Sequence, residues 1–241
     1  MAEPVVIVGA TGAIGGAIAR RLAAAGQALH LVGRDPARLA ALAGELGASH
    51  ASADVLDGAA LAAAVQQAGP RIAGLAYCVG SIVMKPLKRA TEADFVDAFR
   101  LNAVGAALAV AAAGEALHAV PGSAVVLFST VAARAGFASH SVIAAAKGAV
   151  EALAVSLAAE LAPNTRVNCI APSLTRSGIA EPMTRNETMA RAIAAQHPLP
   201  RLGEPEDAGA LAAFLLSADA GWITGQVIAC DGGRSTVRTR G

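Results

Sequence analysis

Three glycines near the start of the chain, Gly9, Gly12 and Gly15, are spaced three residues apart between a strand-like run and a helical pattern. Glycine can adopt the dihedral angles of a tight turn, and its missing side chain lets backbone N–H groups approach an anion. The N-terminus of the helix that follows adds a partial positive charge. In the first strand–turn–helix unit, this pattern predicts the pyrophosphate-binding turn of a dinucleotide site. The alternative is that the glycines only form a tight turn.

The second strand-like run ends at Gly33-Arg34-Asp35-Pro36. In sites that prefer NAD, a carboxylate at this strand tip accepts a hydrogen bond from the ribose 2′-hydroxyl. Gly33 has no carboxylate, and the planar guanidinium of Arg34 can pair with a 2′-phosphate. Asp35 precedes a proline, which is typical of a helix N-cap. We therefore expect NADP rather than NAD, with a solvated Arg34 as the alternative.

His140 and Lys147 lie seven residues apart, around the start of the predicted helix Ser141–Leu161. Seven residues are almost two helical turns, so the two side chains are separated by only about 20° around the axis. The ordinary pKa of histidine, about 6.5, suits proton transfer. His140 is therefore a candidate proton donor, acting directly or through water. The alternative is a loop or helix-cap histidine.

The elements that must position these residues alternate along the chain. The predicted strands are short apolar runs: Val5–Val8, Ala28–Val32, Ala48–Ala53, Ile72–Cys78, Ala124–Phe128, Arg166–Ile170 and Gln226–Ala229. The predicted helices are Ala13–Ala25, Pro36–Leu46, Gly58–Ala68, Glu92–Ala119, Ser141–Leu161 and Pro205–Ser217. Strands that are apolar throughout are typical of a parallel sheet covered on both faces. We predict one α/β domain, residues 1–241, with a Rossmann-type doubly wound parallel sheet of about seven strands.

Further motifs resemble those of the short-chain dehydrogenase/reductase family over nearly the whole chain. The matching segments are Ala53-Asp54-Val55, Leu101-Asn102-Ala103, Val126–Thr130, Lys147–Leu153, Arg166–Pro172, Thr224-Gly225-Gln226 and Asp231-Gly232-Gly233. The resemblance implies a nicotinamide dinucleotide cofactor and hydride transfer to or from a small molecule.

The family's catalytic residues can be placed position by position. The resemblance implies that Lys147 binds the nicotinamide ribose, Asn102 holds a water in a proton relay, and the Thr130 hydroxyl orients the substrate. Ser129 is the fallback for the hydroxyl. The family's proton-transferring tyrosine corresponds to Ile143, which cannot transfer a proton.

The resemblance also implies the cofactor contacts. They are Gly9, Thr11, Gly12, Ile14, Gly15, Arg34, Asp54, Val55, Gly80, Lys147, Pro172, Thr175 and Ser177. Asp54 and Val55 are expected beside the adenine, and Gly80 permits close approach of the adenosine ribose. Thr175 and Ser177 are expected near the nicotinamide carboxamide and the phosphates.

Two functions therefore remain open. The first is an NADP(H)-dependent oxidoreductase with a non-standard proton donor, or one that reduces a conjugated double bond with a proton from solvent. The second is a catalytically silent NADP(H)-binding sensor or partner subunit, favoured by Ile143. The single tyrosine, Tyr77, lies near the end of the fourth strand-like run and is expected in the core.

Composition excludes several other classes. The 241 residues carry a net charge of +1, which argues against nucleic acid or an anionic membrane as a partner. No segment resembles a signal peptide, so we expect a cytoplasmic protein. The three cysteines and five histidines lack metal-ligand spacing, and no metal site is predicted.

The resemblance implies two further features. Residues 175–196 form a substrate lid, whose Arg176, Arg185 and Arg191 either contact an acidic or thioester-nucleotide substrate or are solvated. The helices Glu92–Ala119 and Ser141–Leu161 pair between subunits, so we expect a homo-oligomer, a dimer or a tetramer.

Overall fold

The computed structural model describes residues 3–238. Within them, seven parallel strands form one sheet in the order β3-β2-β1-β4-β5-β6-β7. The strands are β1 Val5–Val8, β2 Leu29–Gly33, β3 Ser49–Ser52, β4 Gly74–Tyr77, β5 Ser123–Phe128, β6 Thr165–Pro172 and β7 Val227–Cys230. The strand order reverses between β1 and β4, and in such sheets ligands bind beyond the carboxyl ends of the strands at this point.

Helices cover both faces of the sheet. They are α1 Ala13–Ala24, α2 Pro36–Leu46, α3 Gly58–Gln66, α4 Glu92–Phe99, α5 Gly105–His118, α6 Ser141–Leu161, α7 Glu181–Thr184, α8 Glu187–Ala194 and α9 Pro205–Leu216. Successive strand residues point to opposite faces. Val6 and Val8 therefore pack in the core layer with α3, α5 and α6, whereas Val5 and Ile7 pack in the layer with α1, α2 and α9. The predicted doubly wound α/β architecture is confirmed.

Most element boundaries differ from the prediction by a few residues. β4 begins at Gly74 rather than Ile72, because the Ile72 N–H donates to the carbonyl of Ala116 and not to a neighbouring strand. β6 continues to Pro172, two residues beyond the predicted end, because it keeps pairing with β7 there. The longer β6 carries the chain directly to the edge where the site lies.

The predicted continuous helix Glu92–Ala119 is wrong. A π-helical segment, Arg100–Val104, separates α4 from α5. The Gly105 N–H donates to the carbonyl of Arg100, five residues back, and so bypasses Leu101. The hydroxyl of Tyr77 donates to the Leu101 carbonyl instead, at 2.7 Å. A buried side chain from the sheet thus stabilises a helix interruption that local sequence does not reveal.

Two helical stretches, Glu92–His118 and Ser141–Leu161, are long and apolar enough to cross a membrane on length and hydropathy alone. Both pack on one face of the sheet, where their alanines contact the core valines and leucines. Core helices of a globular domain meet the same criterion, so these stretches are weak evidence for membrane insertion.

Candidate active site

The glycine-rich turn joins β1 to α1 with tight backbone packing. Gly9 has a φ of +85°, a conformation that favours glycine, and its carbonyl accepts from the Gly12 N–H at 3.0 Å. A Cβ on Gly15 would lie only 2.3 Å from the Gly9 carbonyl oxygen. The N-cap residue Gly12 makes no side-chain capping bond, so the first N–H groups of α1 stay available to an anion. The turn therefore fits a dinucleotide pyrophosphate.

The tip of β2 faces this turn. Asp35 accepts hydrogen bonds from the N–H groups of Ala37 and Arg38 at 3.0 and 3.1 Å, so it is the N-cap of α2, as predicted. Arg34 is exposed. The guanidinium of Arg38 donates to the carbonyl of Thr11 at 3.1 Å, which brings a second arginine to the glycine-rich turn.

Sequence reasoning missed Arg38. Residues four apart on a helix lie on one face, and Arg34 and Arg38 have this spacing, but Arg34 precedes the helix. Only the packing of α2 against the turn brings Arg38 beside Thr11.

A cavity of about 360 Å³ opens at the carboxyl ends of β4, β5 and β6. Eight of the predicted site residues line it: Ile14, Gly80, Thr130, His140, Lys147, Pro172, Thr175 and Ser177. The other predicted cofactor residues lie outside its wall: Gly9, Thr11, Gly12, Gly15, Arg34, Asp54 and Val55. The predicted residues therefore form two groups. The residues outside the cavity lie on the nucleotide side, and the residues that line the cavity would contact the reacting end of a dinucleotide.

Lys147 projects from α6 into the base of the cavity. Its Nζ donates to the carbonyl of Phe128 at 2.8 Å, and the side chain is buried. Burial lowers the pKa of Lys147 to about 8, because desolvation disfavours the charged ammonium. A Cβ on Gly80 would lie 3.0 Å from this Nζ, so the glycine keeps the approach to the ammonium clear.

Asn102 lies in the π-helical segment next to Lys147. Its Nδ2 donates to the Ala98 carbonyl at 2.8 Å and to the Ser81 hydroxyl at 3.2 Å. Its Oδ1 is the one buried side-chain polar atom of residues 3–238 without a hydrogen-bond partner. This oxygen would also lie 3.0 Å from a Cβ on Gly80. A buried unpaired acceptor beside an ammonium is costly unless a ligand or water uses it.

The two candidate hydroxyls have different surroundings. Ser129 is buried and donates to Oε1 of Glu151 at 2.8 Å, and Arg134 donates to the other carboxylate oxygen at 2.6 Å. Thr130 lines the cavity, and its one hydrogen bond within residues 3–238 is accepted from the Ala132 N–H, at 3.3 Å. Thr130 therefore has a hydroxyl proton free to donate, whereas the Ser129 hydroxyl belongs to the ion-pair network.

His140 immediately precedes α6 and lines the same cavity. Its side chain makes no capping bond to the helix. The Nδ1 donates to the carbonyl of Ala138 at 2.8 Å, because a carbonyl can only accept, so Nε2 is the nitrogen that exchanges a proton. Ser139 has a φ of +65°, a strained value for a non-glycine residue, where the chain turns toward α6. Ile143 lies almost one turn further on, buried in the cavity wall.

The remaining predicted contacts have local partners. Asp54 is exposed and accepts from the Leu56 N–H at 2.9 Å, whereas the side chain of Val55 is buried in the core. The Thr175 hydroxyl donates to the carbonyl of Ser173 at 3.1 Å, and the Ser177 hydroxyl donates to that of Thr175 at 3.2 Å. Both hydroxyls therefore retain acceptor capacity at the cavity rim.

The segment 175–196 contains a 3-10 turn, α7 and α8, and contributes Ile179, Met183 and Ile193 to the cavity. Its three arginines do not line the cavity. Arg176 pairs with Glu204 at 3.1 Å, and Arg191 pairs with Glu187 at 2.8 Å. The structure therefore favours the solvated alternative for them.

Comparison with known proteins gives consistent matches. A family model described as enoyl-(acyl carrier protein) reductase matches residues 9–235. An uncharacterised oxidoreductase of Mycobacterium tuberculosis is 35% identical over 96% of this chain and 90% of its own length. A galactitol 2-dehydrogenase (L-tagatose-forming) of Cereibacter sphaeroides is 35% identical over 94% of this chain and 92% of its own. A short-chain type dehydrogenase/reductase from Mycobacterium ulcerans superposes with a TM-score of 0.91 at 29% identity, covering 99% of this chain and 92% of that structure.

Proposed function

This chain belongs to the short-chain dehydrogenase/reductase family, and we propose that it is an NADP(H)-dependent oxidoreductase acting on a small carbonyl, alcohol or conjugated enoyl substrate. The observation that carries the proposal is the juxtaposition of the buried Lys147 ammonium and the unpartnered Asn102 Oδ1 beside one cavity. A buried ammonium beside a buried acceptor that has no hydrogen-bond partner within residues 3–238 lowers the stability of the fold. This cost supports a site that still functions over one that has lost its function.

The cofactor is held, in this proposal, by the turn from Gly9 to Gly15 at its pyrophosphate and by Lys147 at the nicotinamide ribose. Asp54 and Val55 border the adenine. Gly80, expected from the sequence at the adenosine ribose, lines the cavity, and a Cβ on it would lie 3.0 Å from the Lys147 Nζ, so it leaves room for the nicotinamide ribose instead. Pro172, Thr175 and Ser177 border the nicotinamide carboxamide and phosphates. When bound, the nicotinamide supplies or accepts a hydride.

The preference for NADP rests on the tip of β2. Gly33 offers no carboxylate for a ribose hydroxyl, and Asp35 already caps α2. Arg34 is exposed beside the turn, and Arg38 is held at Thr11, so two guanidinium groups border the expected position of a 2′-phosphate.

The proton has a different source in this chain than in its family, because Ile143 stands where we align the tyrosine. Thr130 orients the substrate oxygen by donating a hydrogen bond to it and keeps its own proton. His140, whose Nδ1 is held by the Ala138 carbonyl, gives the proton on Nε2 to the substrate, directly or through water. Lys147 and the Asn102 Oδ1 hold a water through which solvent returns a proton to Nε2.

A catalytically silent NADP(H)-binding sensor or partner subunit is the second candidate. Ile143 favours it, since an aliphatic side chain lies in the cavity wall one turn before Lys147. Within the first candidate function, the alternative to a protein proton donor is the reduction of a conjugated double bond with a proton taken directly from solvent.

Three broader features belong to the proposal. Residues 175–196 act as the substrate lid of a single domain spanning 1–241. The chain forms a homo-oligomer, a dimer or a tetramer, through α4 to α6, where apolar side chains including Phe99 and Val155 are exposed. The protein works in the cytoplasm, without a nucleic-acid or membrane partner.

The two functions are tested by combining cofactor binding with turnover. NADPH and NADH are titrated into the protein by fluorescence, and NADPH oxidation is then followed with a panel of ketones, aldehydes and conjugated enoyl compounds. Turnover of any compound, abolished by Lys147→Ala, supports the enzyme. Tight NADPH binding without turnover across the whole panel supports the silent binding protein.

A further inference from the structure

Arg234 brings a positive charge to the cavity wall from the segment that follows β7. Its Cζ lies 4.6 Å from the ring centroid of Phe137, over the face of the ring. Its Nη2 donates to Oε1 of Gln196 at 2.6 Å, and its Nη1 donates to the Ser173 hydroxyl at 3.3 Å. All four residues line the cavity, so the guanidinium is held at its surface from three sides.

A directed chain of hydrogen bonds fixes this arrangement. Nδ1 of the buried His197 donates to the carbonyl of Ile193 at 2.9 Å, so the other ring nitrogen is the acceptor. That nitrogen, Nε2, accepts the Ser173 hydroxyl proton at 2.8 Å. The Ser173 oxygen is then left to accept from Arg234. The chain anchors the guanidinium to α8 and orients it before any ligand binds.

Arg234 forms no direct ion pair within the described part of the chain, and the Asp231 carboxylate attracts its guanidinium only at longer range. Within residues 3–238, no carboxylate forms an ion pair with it, and no aspartate or glutamate lines the cavity. The carboxylate of the nearby Asp231 is occupied by the N–H groups of Gly233 and Ser235 at 2.9 and 2.8 Å. A partly desolvated cation that no carboxylate of residues 3–238 contacts directly is costly, and a cavity that maintains one is suited to an anion.

The guanidinium retains N–H donors beyond the two that bind Gln196 and Ser173, since arginine has five. Two such donors in one plane match the two oxygens of a carboxylate. The neighbouring wall is aliphatic, with Ile82, Met84, Leu174 and Ile179. The cavity thus combines one oriented cation with room for a short hydrocarbon chain.

We propose that Arg234 is a specificity-determining residue that selects substrates carrying a carboxylate, bound through its guanidinium while the reacting carbon faces Thr130 and Lys147. This inference rests on the proposed function, because it takes the bound acid to be the molecule that reacts. The preference for binding an acid over its ester can be measured without turnover. In this proposal a residue beyond β7 recognises the acid group of the substrate, and the lid arginines do not.

The test measures binding in the presence of the oxidised cofactor, NADP⁺ or NAD⁺, whichever binds more tightly, so that no reduction occurs. Calorimetry compares 2-oxobutanoate, 3-oxobutanoate and 4-oxopentanoate with their methyl esters. At least one acid is expected to bind about ten- to a hundredfold more tightly than its ester. Arg234→Met abolishes this preference and Arg234→Lys reduces it. Arg185→Met, which removes a charge from an exposed lid position outside the cavity wall, leaves it intact.

The inference is overturned if no acid is preferred over its ester, or if Arg234→Met retains the preference. It is also overturned if Arg234→Met weakens cofactor binding alone, because the cation then serves a cofactor phosphate. Circular dichroism confirms folding of each variant, and Arg234→Lys keeps the test valid if the methionine variant unfolds. A preference without any turnover would contradict the proposed function and leave this inference standing.

Discussion

The hydroxyl of Tyr77 donates a 2.7 Å hydrogen bond to the carbonyl oxygen of Leu101, one residue before the active-site candidate Asn102. The same hydroxyl would lie 2.2 Å from a Cβ on Gly105. Tyr77 is almost fully buried, and burial raises the pKa of its phenol, so it remains protonated and a donor. The single tyrosine of the chain therefore holds the helix segment that positions Asn102, rather than transferring a proton itself.

Replacing Tyr77 with phenylalanine leaves the Leu101 carbonyl without a partner, and we expect a loss of about 1–3 kcal/mol in unfolding free energy. Gly105→Ala is destabilising in the wild-type background, because the new methyl group meets the Tyr77 hydroxyl. In the Tyr77→Phe background the same substitution costs less, since that oxygen is gone. Urea unfolding of the four proteins checks this coupling. Strict additivity of the two substitutions would contradict it.

His140→Ala is expected to lower turnover by about 10²- to 10⁴-fold if its Nε2 supplies the proton. The matched control is His50→Ala, since His50 is exposed on β3, outside the cavity wall. Steady-state rates with a substrate found in the panel provide the measurement. Unchanged turnover in His140→Ala would remove the histidine from the mechanism and favour a proton from solvent.

Ile143→Tyr is expected to add reduction of simple ketones, because it places a phenol on α6 one turn before the Lys147 ammonium. Ile143→Phe is the control, with the same ring and no hydroxyl. The gain is read as NADPH oxidation with a ketone that the wild type does not reduce. If both variants stay inactive while still binding NADPH, the surrounding site lacks the geometry for proton transfer.

The buried side chain of Lys147 is expected to make the unfolding free energy of the protein depend on pH. Burial lowers its folded pKa to about 8, below the ordinary lysine value of 10.5. Between these pH values the unfolded chain binds more protons than the folded one, so the contribution of Lys147 to stability rises with pH. Below pH 8 both states are protonated and the full cost of the buried charge is present.

The measurement compares wild type with Lys147→Met by denaturant unfolding from pH 7 to pH 10, without cofactor. The stability advantage of the methionine variant is expected to shrink as pH rises, by up to about 3 kcal/mol. Taking the difference cancels the titration of groups common to both proteins. A difference that stays constant over this range would show that the ammonium is not desolvated.

Gly33→Asp is expected to shift cofactor preference from NADPH toward NADH. The added Cβ would lie 3.4 Å from Leu39 and 3.5 Å from the Thr11 hydroxyl, which are ordinary contacts. The new carboxylate can then accept from a ribose hydroxyl and would repel a 2′-phosphate. Binding constants for both cofactors, with Arg34→Ala measured alongside, check this. An unaltered ratio in both variants would contradict NADP recognition at this tip.

Much of the fold was determined by local chemistry. Short runs of β-branched residues that end at a glycine turn, such as Val5–Val8, favour buried strands, and the capping of α2 by Asp35 follows from short-range hydrogen bonding. The glycine turn is likewise a property of consecutive residues. These features needed no knowledge of distant contacts, so the strand–helix alternation and the candidate cofactor turn were predictable.

Only the tertiary structure decided the rest, because it depends on residues far apart in the chain. Tyr77 and Leu101 meet across 24 positions, and their bond divides a helix that local propensity makes continuous. Arg38 reaches Thr11 across 27 positions, and Arg234 reaches Ser173 across 61. Sequence alone identified which residue types are present and the absence of a tyrosine at position 143, since these are local facts. The burial that lowers the Lys147 pKa arises only when the packed sheet and helices exclude water from the ammonium, and Arg234 reaches the cavity only because the segment after β7 packs beside Ser173 and Gln196.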